Sequence, residues 1–340
     1  MMTNKSIFHW SVFLLFLSFS FLFLLNCFSD LTSLETEVAS RSPYLSETPP
    51  SKNDKPSEIK LAFVGDIMMD RGVKTMADNY GEGDLSYITK HLEFPDDLDI
   101  VFGNLEGPAS DVGRDLNNKY SFRMNPSAVE VLAEAGFSVL SVANNHAGDW
   151  GRDAFVDTLD NLEEVGILAT GGGHDINNAG TPAVIETNGL SVAFLGFSDV
   201  GPDWMQVNNS EAGILNANSD NFDEFIVNAA ENSDILVVSF HFGSEYQKEP
   251  SDRQKYLARR AVDLGADIVA GHHPHVIQPV EKYRGGLIAY SLGNFIFDQN
   301  FSQDTMEGLL LVVEVREGDL SHHYKRKIKI NDHFQPYLKN

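Results

Sequence analysis

Five of the chain's 11 histidines stand directly after short apolar runs, in company with carboxylates and amides. Leu61-Ala62-Phe63-Val64 leads into Gly65-Asp66, and Asp99-Ile100-Val101-Phe102 leads into Gly103-Asn104-Leu105-Glu106. Val139-Leu140-Ser141-Val142-Ala143 ends in Asn144-Asn145-His146, and Ile235-Leu236-Val237-Val238-Ser239-Phe240 ends in His241. Ile268-Val269-Ala270 ends in Gly271-His272-His273-Pro274-His275. A single histidine in such a place is more often a hydrogen-bonded structural residue than a ligand. Each further segment that ends the same way weakens the case for coincidence. Together with Asp66, Glu106 and Asn145 the imidazoles make a borderline-to-hard donor set that suits Zn, Mn or Fe; the lack of thiolates argues against a structural zinc. Asp-Asn-His sets with a shared carboxylate hold two metals about 3.5–4 Å apart, a pair able to generate hydroxide at neutral pH and clamp phosphoryl oxygens. Ligand imidazoles must be neutral, so protons compete with metal below a pH of about 6.5.

Other chemistries lack their parts. The sequence has no Gly-x-Ser-x-Gly elbow and no Walker-type loop, and its 1 cysteine is Cys27. Gly171-Gly172-Gly173 reads as a permissive turn after a strand at Ile167-Leu168.

The apolar runs are short and rich in β-branched residues, which predicts buried strands. Helices are predicted between them: Pro126 to Ala135, closed by Gly136, then Asp153 to Val165 and Arg253 to Leu264. Further strands are expected at Ser191 to Phe197, Leu287 to Ser291 and Leu309 to Val315. Alternation of this kind argues for an α/β layered sheet in one domain, 59–335. Ligands of open α/β sheets bind beyond the carboxyl ends of strands, so clusters spread along the sequence can meet in one crevice.

Of the 340 residues, 25 are Lys+Arg and 49 Asp+Glu, a formal charge of −24 that disfavours nucleic acid as a partner. Lys5 precedes an apolar run from Ile7 to Leu25, so 1–28 reads as a signal peptide or membrane anchor. Cys27, in Leu24-Leu25-Asn26-Cys27, resembles the lipidated cysteine of a bacterial lipoprotein, with Asn26 where a small residue is usual. Signal anchor, lipoprotein and secreted protein stay open, and all three place the domain outside the cytoplasm. Residues 29–58, rich in Ser, Thr, Pro, Glu and Lys, read as a flexible tether.

Six motifs in order carry a specific resemblance. They are Val64-Gly65-Asp66-Ile67-Met68, Gly103-Asn104-Leu105-Glu106-Gly107-Pro108 and Ala143-Asn144-Asn145-His146-Ala147-Gly148-Asp149. His241-Phe242-Gly243-Ser244-Glu245-Tyr246, Gly271-His272-His273-Pro274-His275-Val276 and Tyr290-Ser291-Leu292-Gly293-Asn294-Phe295 complete the set. This series resembles the CapA (poly-γ-glutamate capsule synthesis) family. The resemblance implies a calcineurin-like metallophosphoesterase sandwich, two β-sheets flanked by helices, and a role with capsule or another anionic surface polymer. The implied metal ligands are Asp66, Glu106, Asn145, His241, His273 and His275, with His272 as the alternative to the His273/His275 pair. His146 is implied to act near the leaving oxygen, with Asp149 beside it. Arg71, Asn104, Arg123, Glu245 and His272 are the expected substrate-binding residues; arginine can grip carboxylate or phosphate with two donors. Arg152, close to the same clusters, reads as an ordinary ion pair. Met68 stands where metallophosphoesterases commonly carry a histidine ligand, and Asn104 and Glu106 where a bridging aspartate is usual, so the expectation is two divalent ions of unequal affinity or one tightly held ion. Expected partners are an anionic polymer or phosphoester, the membrane through 1–28, and subunits of a capsule-synthesis complex. The competing expectation is a non-catalytic, membrane-anchored assembly or export factor using the same pocket to hold polymer. A periplasmic-type binding protein fits less well, since no two similar lobes are visible.

Overall fold

The computed structural model describes residues 57–339. The apolar run Ile7 to Leu25, Cys27 and nearly all of the tether lie outside these residues. Among the described residues no helix is long and apolar enough to cross a membrane.

The chain runs β1 (Glu58–Ile67), α1 (Arg71–Tyr80), α2 (Ser86–Thr89), β2 (Ile100–Leu105), α3 (Ser127–Glu134), β3 (Val139–Ser141) and α4 (Gly151–Glu164). Next come β4 (Leu168–Thr170), β5 (Gly172–Gly173), α5 (Ile176–Gly180), β6 (Ala183–Thr187), β7 (Leu190–Ser198) and β8 (Gly213–Ile214). Then follow α6 (Phe222–Glu231), β9 (Ile235–His241), α7 (Asp252–Asp263), β10 (Ile268–His272), β11 (Val280–Tyr283) and β12 (Gly286–Ala289). The last are β13 (Asn294–Ile296), β14 (Glu307–Arg316), β15 (Asp319–Ile330) and β16 (Pro336–Leu338). Thus Glu58, placed in the tether by sequence, already opens a strand, and the sheet continues past residue 335.

Two sheets face each other. The first has the order β16-β15-β14-β1-β2-β3-β4, with β13 also on β1; the second has the order β11-β12-β10-β9-β7-β6. Strands β1 to β4 are parallel neighbours, as are β7, β9, β10 and β12, so their carboxyl ends share one rim of each sheet. Alternation along the strands divides the apolar residues into three cores. Ile59, Leu61 and Phe63 of β1 join Val192, Phe194, Val237 and Ile268 between the sheets. Ala62 and Val64 point the other way, onto Val73 of α1, Leu132 of α3 and Phe155 of α4. Leu195, Val238 and Phe240 cover Ile226 of α6 and Leu257 of α7. The result is the expected helix-sheet-sheet-helix sandwich, in which both faces of the central strands are buried and their sequences read as unbroken apolar runs. Phe102 crosses the interface to stack on Phe194, with ring centroids 5.6 Å apart and planes within 7°.

One irregularity builds the site. Strand β14 pairs with β1 only up to Phe63, and β13 takes its place at Asp66↔Asn294. On the other side the register also shifts between Phe63 and Asp66, bringing Asp66 opposite Asn104. The main chains approach so closely here that a Cβ on Gly65 would lie 1.8 Å from the Gly293 carbonyl oxygen. Gly65→Ala is therefore expected to lose about 3 kcal/mol of stability, read as a fall in denaturant midpoint. An unchanged midpoint would show that the β1/β13 junction relaxes freely.

Candidate functional site

Asp66 is wholly buried where the strands meet and sits at the centre of a polar network. Asn104 donates its Nδ2 to Asp66 Oδ1 at 2.9 Å, and the backbone N–H of His273 donates to Asp66 Oδ2 at 3.2 Å. His275 Nδ1 lies 3.3 Å from Asp66 Oδ2 and 2.9 Å from Asn294 Oδ1. Its other nitrogen, Nε2, faces Glu106 Oε1 at 3.6 Å. His146 Nε2 approaches the same Glu106 oxygen at 3.9 Å. His241 Nε2 meets Asn145 Oδ1 at 2.7 Å, and its ring lies 4.8 Å from that of His273 between centroids. Asn144 ties the β2 and β3 ends together, donating Nδ2 to the Leu105 carbonyl at 2.8 Å while its Oδ1 accepts from the His146 N–H at 3.1 Å.

The ligand candidates thus come together, in two groups. Asp66, Glu106 and His241 present donor atoms within 4.8 Å of one another, and so do Glu245, His273 and His275. Asn145 adjoins the first through His241. His272 ends β10 directly opposite His241, wholly buried, with Nδ1 3.4 Å from Asp66 Oδ1 but outside hydrogen-bond geometry. His273 and His275 both adopt left-handed backbone, φ +95° and +56°, which costs non-glycine residues on the order of 1–3 kcal/mol. Packing that holds two histidines on either side of Pro274 in such a conformation fixes where their rings point.

Five of the six buried side-chain atoms without a hydrogen-bond partner among the described residues are here: both Glu106 oxygens, both His272 nitrogens and His273 Nδ1. Buried polar atoms are normally partnered, and this concentration of unpaired donor atoms is one that a cation could satisfy. Electrostatics agree. Burial pushes the Glu106 carboxyl well above its usual range, against the pull of the His275 charge. Burial also opposes ionisation of Asp66, but His272 and His275 outweigh it and hold that carboxyl well below its usual range. Burial drives His241 well below ordinary histidine, reinforced by the neighbouring His273, and lowers His273 to about 3. His275 goes the other way: despite burial, the charges of Glu106 and Asp66 raise it to about 9. Without metal, His275 therefore carries the positive charge that the two carboxylates demand. A buried donor set of this kind fits a divalent ion, which would displace that proton.

His146 is held from two sides. Its Nδ1 meets Asp149 Oδ2 at 2.7 Å, and its ring stacks on Phe122 at 3.9 Å between centroids. Asp149 is itself fixed by Asn118 Nδ2 at 2.8 Å and the Phe122 N–H at 2.9 Å. The expected substrate residues are placed less uniformly. Arg71 lies over Phe122, 4.6 Å from the ring centroid, and its guanidinium is paired with Asp298. Arg123 stacks on Trp150 at 3.7 Å and lines a separate recess with Lys74 and Asp111, so it does not join the ligand cluster. Asn104 is wholly buried and braces Asp66, which places it beneath the crevice rather than on its surface. Glu245 is exposed beside His273 and His275. Arg152 binds the carbonyls of Ala212 and Trp204 and serves the β8 loop. Met68 is buried, with Sδ accepting the Asp70 N–H at 3.2 Å, so β1 offers no imidazole at that position.

Residues 60–299 match the family described as bacterial capsule synthesis protein PGA_cap. The chain belongs to this family. All six PGA_cap-like motifs lie within the matched span. The chain is 36% identical over 260 residues to the PGA biosynthesis protein CapA of Bacillus subtilis (strain 168), covering 76% of this chain and 68% of that protein. It is 35% identical over 278 residues to the capsule biosynthesis protein CapA of Bacillus anthracis, covering 79% and 67%. Among solved structures it is similar to a novel phosphatase of Mycoplasma pneumoniae, with TM-score 0.47 and 16% identity over 81% of this chain and 95% of that one. It is also similar to the calcineurin-like phosphoesterase YfkN of Bacillus subtilis, with TM-score 0.41 and 12% identity over 80% and 91%.

Sequence reasoning gave no role to Asn294, which fixes one face of His275, or to Phe122 and Asn118, which position His146 through stacking and through Asp149. Asn294 was signalled only by its place in the last PGA_cap motif. Phe122 carried no signal beyond its neighbour Arg123.

Proposed function

We propose that this PGA_cap domain is a metal-dependent hydrolase acting on a phosphoester or an amide of an anionic surface polymer during capsule or poly-γ-glutamate synthesis. The observation that carries the reading is Glu106, wholly buried with neither carboxylate oxygen hydrogen-bonded, set among the imidazoles of His146, His275 and His241. The capsule and PGA biosynthesis roles by which the two Bacillus relatives are named support the polymer context. Asp66, Glu106, Asn145 and His241 would hold one ion, and Glu245, His273 and His275 a second. A bound divalent ion supplies Lewis acidity toward a phosphoryl or carbonyl oxygen. Asn294, accepting at His275 Nδ1, leaves Nε2 free to act as a ligand. Asp149 holds His146 Nδ1 in the same way, so Nε2 can carry a proton to a leaving oxygen. Phe122 keeps that ring from turning. Arg71, over the same phenyl ring and paired with Asp298, would offer its remaining guanidinium donors to an anionic substrate.

Elemental analysis of the purified full chain, with turnover of bis(p-nitrophenyl) phosphate, tests this. Two equivalents of a divalent metal and turnover lost in His146→Ala are expected; a metal-loaded protein that cleaves neither this diester nor polyglutamate rejects the hydrolase. That outcome would favour the second reading, a non-catalytic polymer assembly or export factor, for which Met68 and the Asn104–Asp66 brace are the supporting observations.

The same proposal places the domain outside the cytoplasm, tethered by Ile7 to Leu25 or by lipid on Cys27. Wild type is expected in the membrane fraction, with Cys27→Ser released only if lipid is the anchor. Recovery of wild type wholly in the medium would contradict both tethers.

A further inference from the structure

Strand β15 carries the densest positive charge of an otherwise acidic chain. Lys325, Arg326, Lys327 and Lys329 fall within five consecutive positions, and the strand's one acid is Asp319. Strand alternation sorts them. Ile328 and Ile330 pack into the core that β1 shares with α1, α3 and α4, and Tyr324 leans on it. His323, Lys325, Lys327 and Lys329 therefore share the opposite face. Their partners across the ladder are Val313, Leu311, Leu309 and Glu307. The three apolar partners belong to the core between the sheets, so the basic face continues that inner surface outward past the sandwich. On the second sheet the edge strand β11 contributes Lys282, which lines a small cleft of about 60 Å³ together with His323, Val313 and Leu320.

This charge is poorly answered. Glu307 pairs with both Lys327, at 2.5 Å, and Lys329, at 3.6 Å. Lys325 and Lys282 are exposed and form no ion pair with the described residues. His323 is held below ordinary histidine first by burial and then by the charges of Lys282, His322 and Lys325. The edge is also open. Strand β16 pairs with β15 only at Ile328–Ile330, so among the described residues no strand covers its outer side from Asp319 to Arg326.

We propose that the inner face and open edge of β15, with Lys282, form a landing track for an extended polycarboxylate chain. Alternate residues of a strand lie about 7 Å apart, which sets a linear row of cations rather than a broad patch. An extended acidic polyamide can place carboxylates along that row and offer its own amides to the open edge. A lipid surface would need a planar cationic patch, and this is one row between two sheet edges. The inference rests on the anionic-polymer reading given above but not on the metal centre. Edge lysines also guard sheets against pairing with other chains, and the experiment separates that role.

The test is binding of poly-L-glutamate of about 50 residues to the full chain in neutral detergent, at low salt and in EDTA, so that the metal centre cannot contribute. Saturable binding is expected that weakens at least tenfold in Lys282→Glu/Lys325→Glu. The charge-matched Lys90→Glu/Lys255→Glu variant should lose less than twofold. Equal losses in the two variants, or no binding by wild type, overturn the track. Unchanged affinity with new self-association of the stripe variant also overturns it, leaving the lysines as edge guards. Binding to phosphatidylglycerol vesicles but not to polyglutamate, abolished by the same substitutions, reassigns the stripe to membrane. Binding lost in His241→Ala but retained in the stripe variant moves the polymer to the metal crevice. Failure of the hydrolase reading alone would leave the stripe result intact.

Discussion

Replacing His241 with alanine is expected to weaken metal binding more than 100-fold and to lower metal content at every pH. His241 offers its ring beside Asp66 and Glu106, and its Nε2 lies 2.7 Å from Asn145 Oδ1. Loss of residues that merely orient ligands costs 10–100-fold in affinity, so removal of a ligand should exceed that range. The ring is also packed against His273, and its removal orphans the Asn145 oxygen, so metal-free stability should fall by about 1–3 kcal/mol. The two effects separate by melting both forms. If His241 is a ligand, the stabilisation that metal gives wild type largely vanishes in the variant. His322→Ala, at an exposed position on β15, should change neither quantity. Equal destabilisation with and without metal, at unchanged metal content, would reduce His241 to packing and remove the centre of the hydrolase reading.

The strands that carry the site were legible because both of their faces are buried. Leu61 to Val64, Ile235 to Phe240 and Ile268 to Ala270 are apolar without a break, and each run stops where the chain reaches the polar rim. The helices α3, α4 and α7 followed from period and closing signals. Strand β15 did not, since from Ser321 to Lys327 it alternates polar residues with half-exposed ones and holds its apolar pair, Ile328 and Ile330, at the far end. Helix α1 begins straight out of the site loop, and Asp70 at its N-cap makes no side-chain capping bond. For the site, residue types announced the ligands, but their supports depend on register. Asn294 reaches His275 only because β13 replaces β14 beside Asp66, a fact of tertiary pairing. Asn104 likewise looked like a substrate contact until the register set it beneath Asp66.

The metal-free protein is expected to be most stable near pH 6.5 and to weaken on both sides, whereas the loaded protein should hold its stability as pH rises to 9. The signs follow from which state binds more protons. His241 and His273 are neutral when folded, the latter held to about 3. Unfolded histidine takes up a proton near 6.5, so stability falls as pH drops below that value. His275 is raised to about 9, so its contribution is complete below 6.5 and is lost as pH climbs through 9. Its full size is on the order of 3 kcal/mol by linkage. Glu106, which burial pushes up, faces His275 Nε2 at 3.6 Å and competes for the same proton, so it adds no second loss of its own. Bound metal must expel this proton, so affinity should increase up to about pH 9, well above the 6.5 that ordinary imidazole ligands would set. Melting temperatures of loaded and EDTA-stripped protein from pH 5 to 9 check this, and the gap between the two curves should widen steadily above 6.5. Titration calorimetry in buffers of different ionisation enthalpy should register at least one proton released per ion bound at pH 7.5. Glu106→Gln removes one of the two charges that raise His275, so the alkaline loss in the stripped variant should begin at lower pH. A gap that stays constant between 6.5 and 9, with no proton release, would mean that neither His275 nor Glu106 touches the metal.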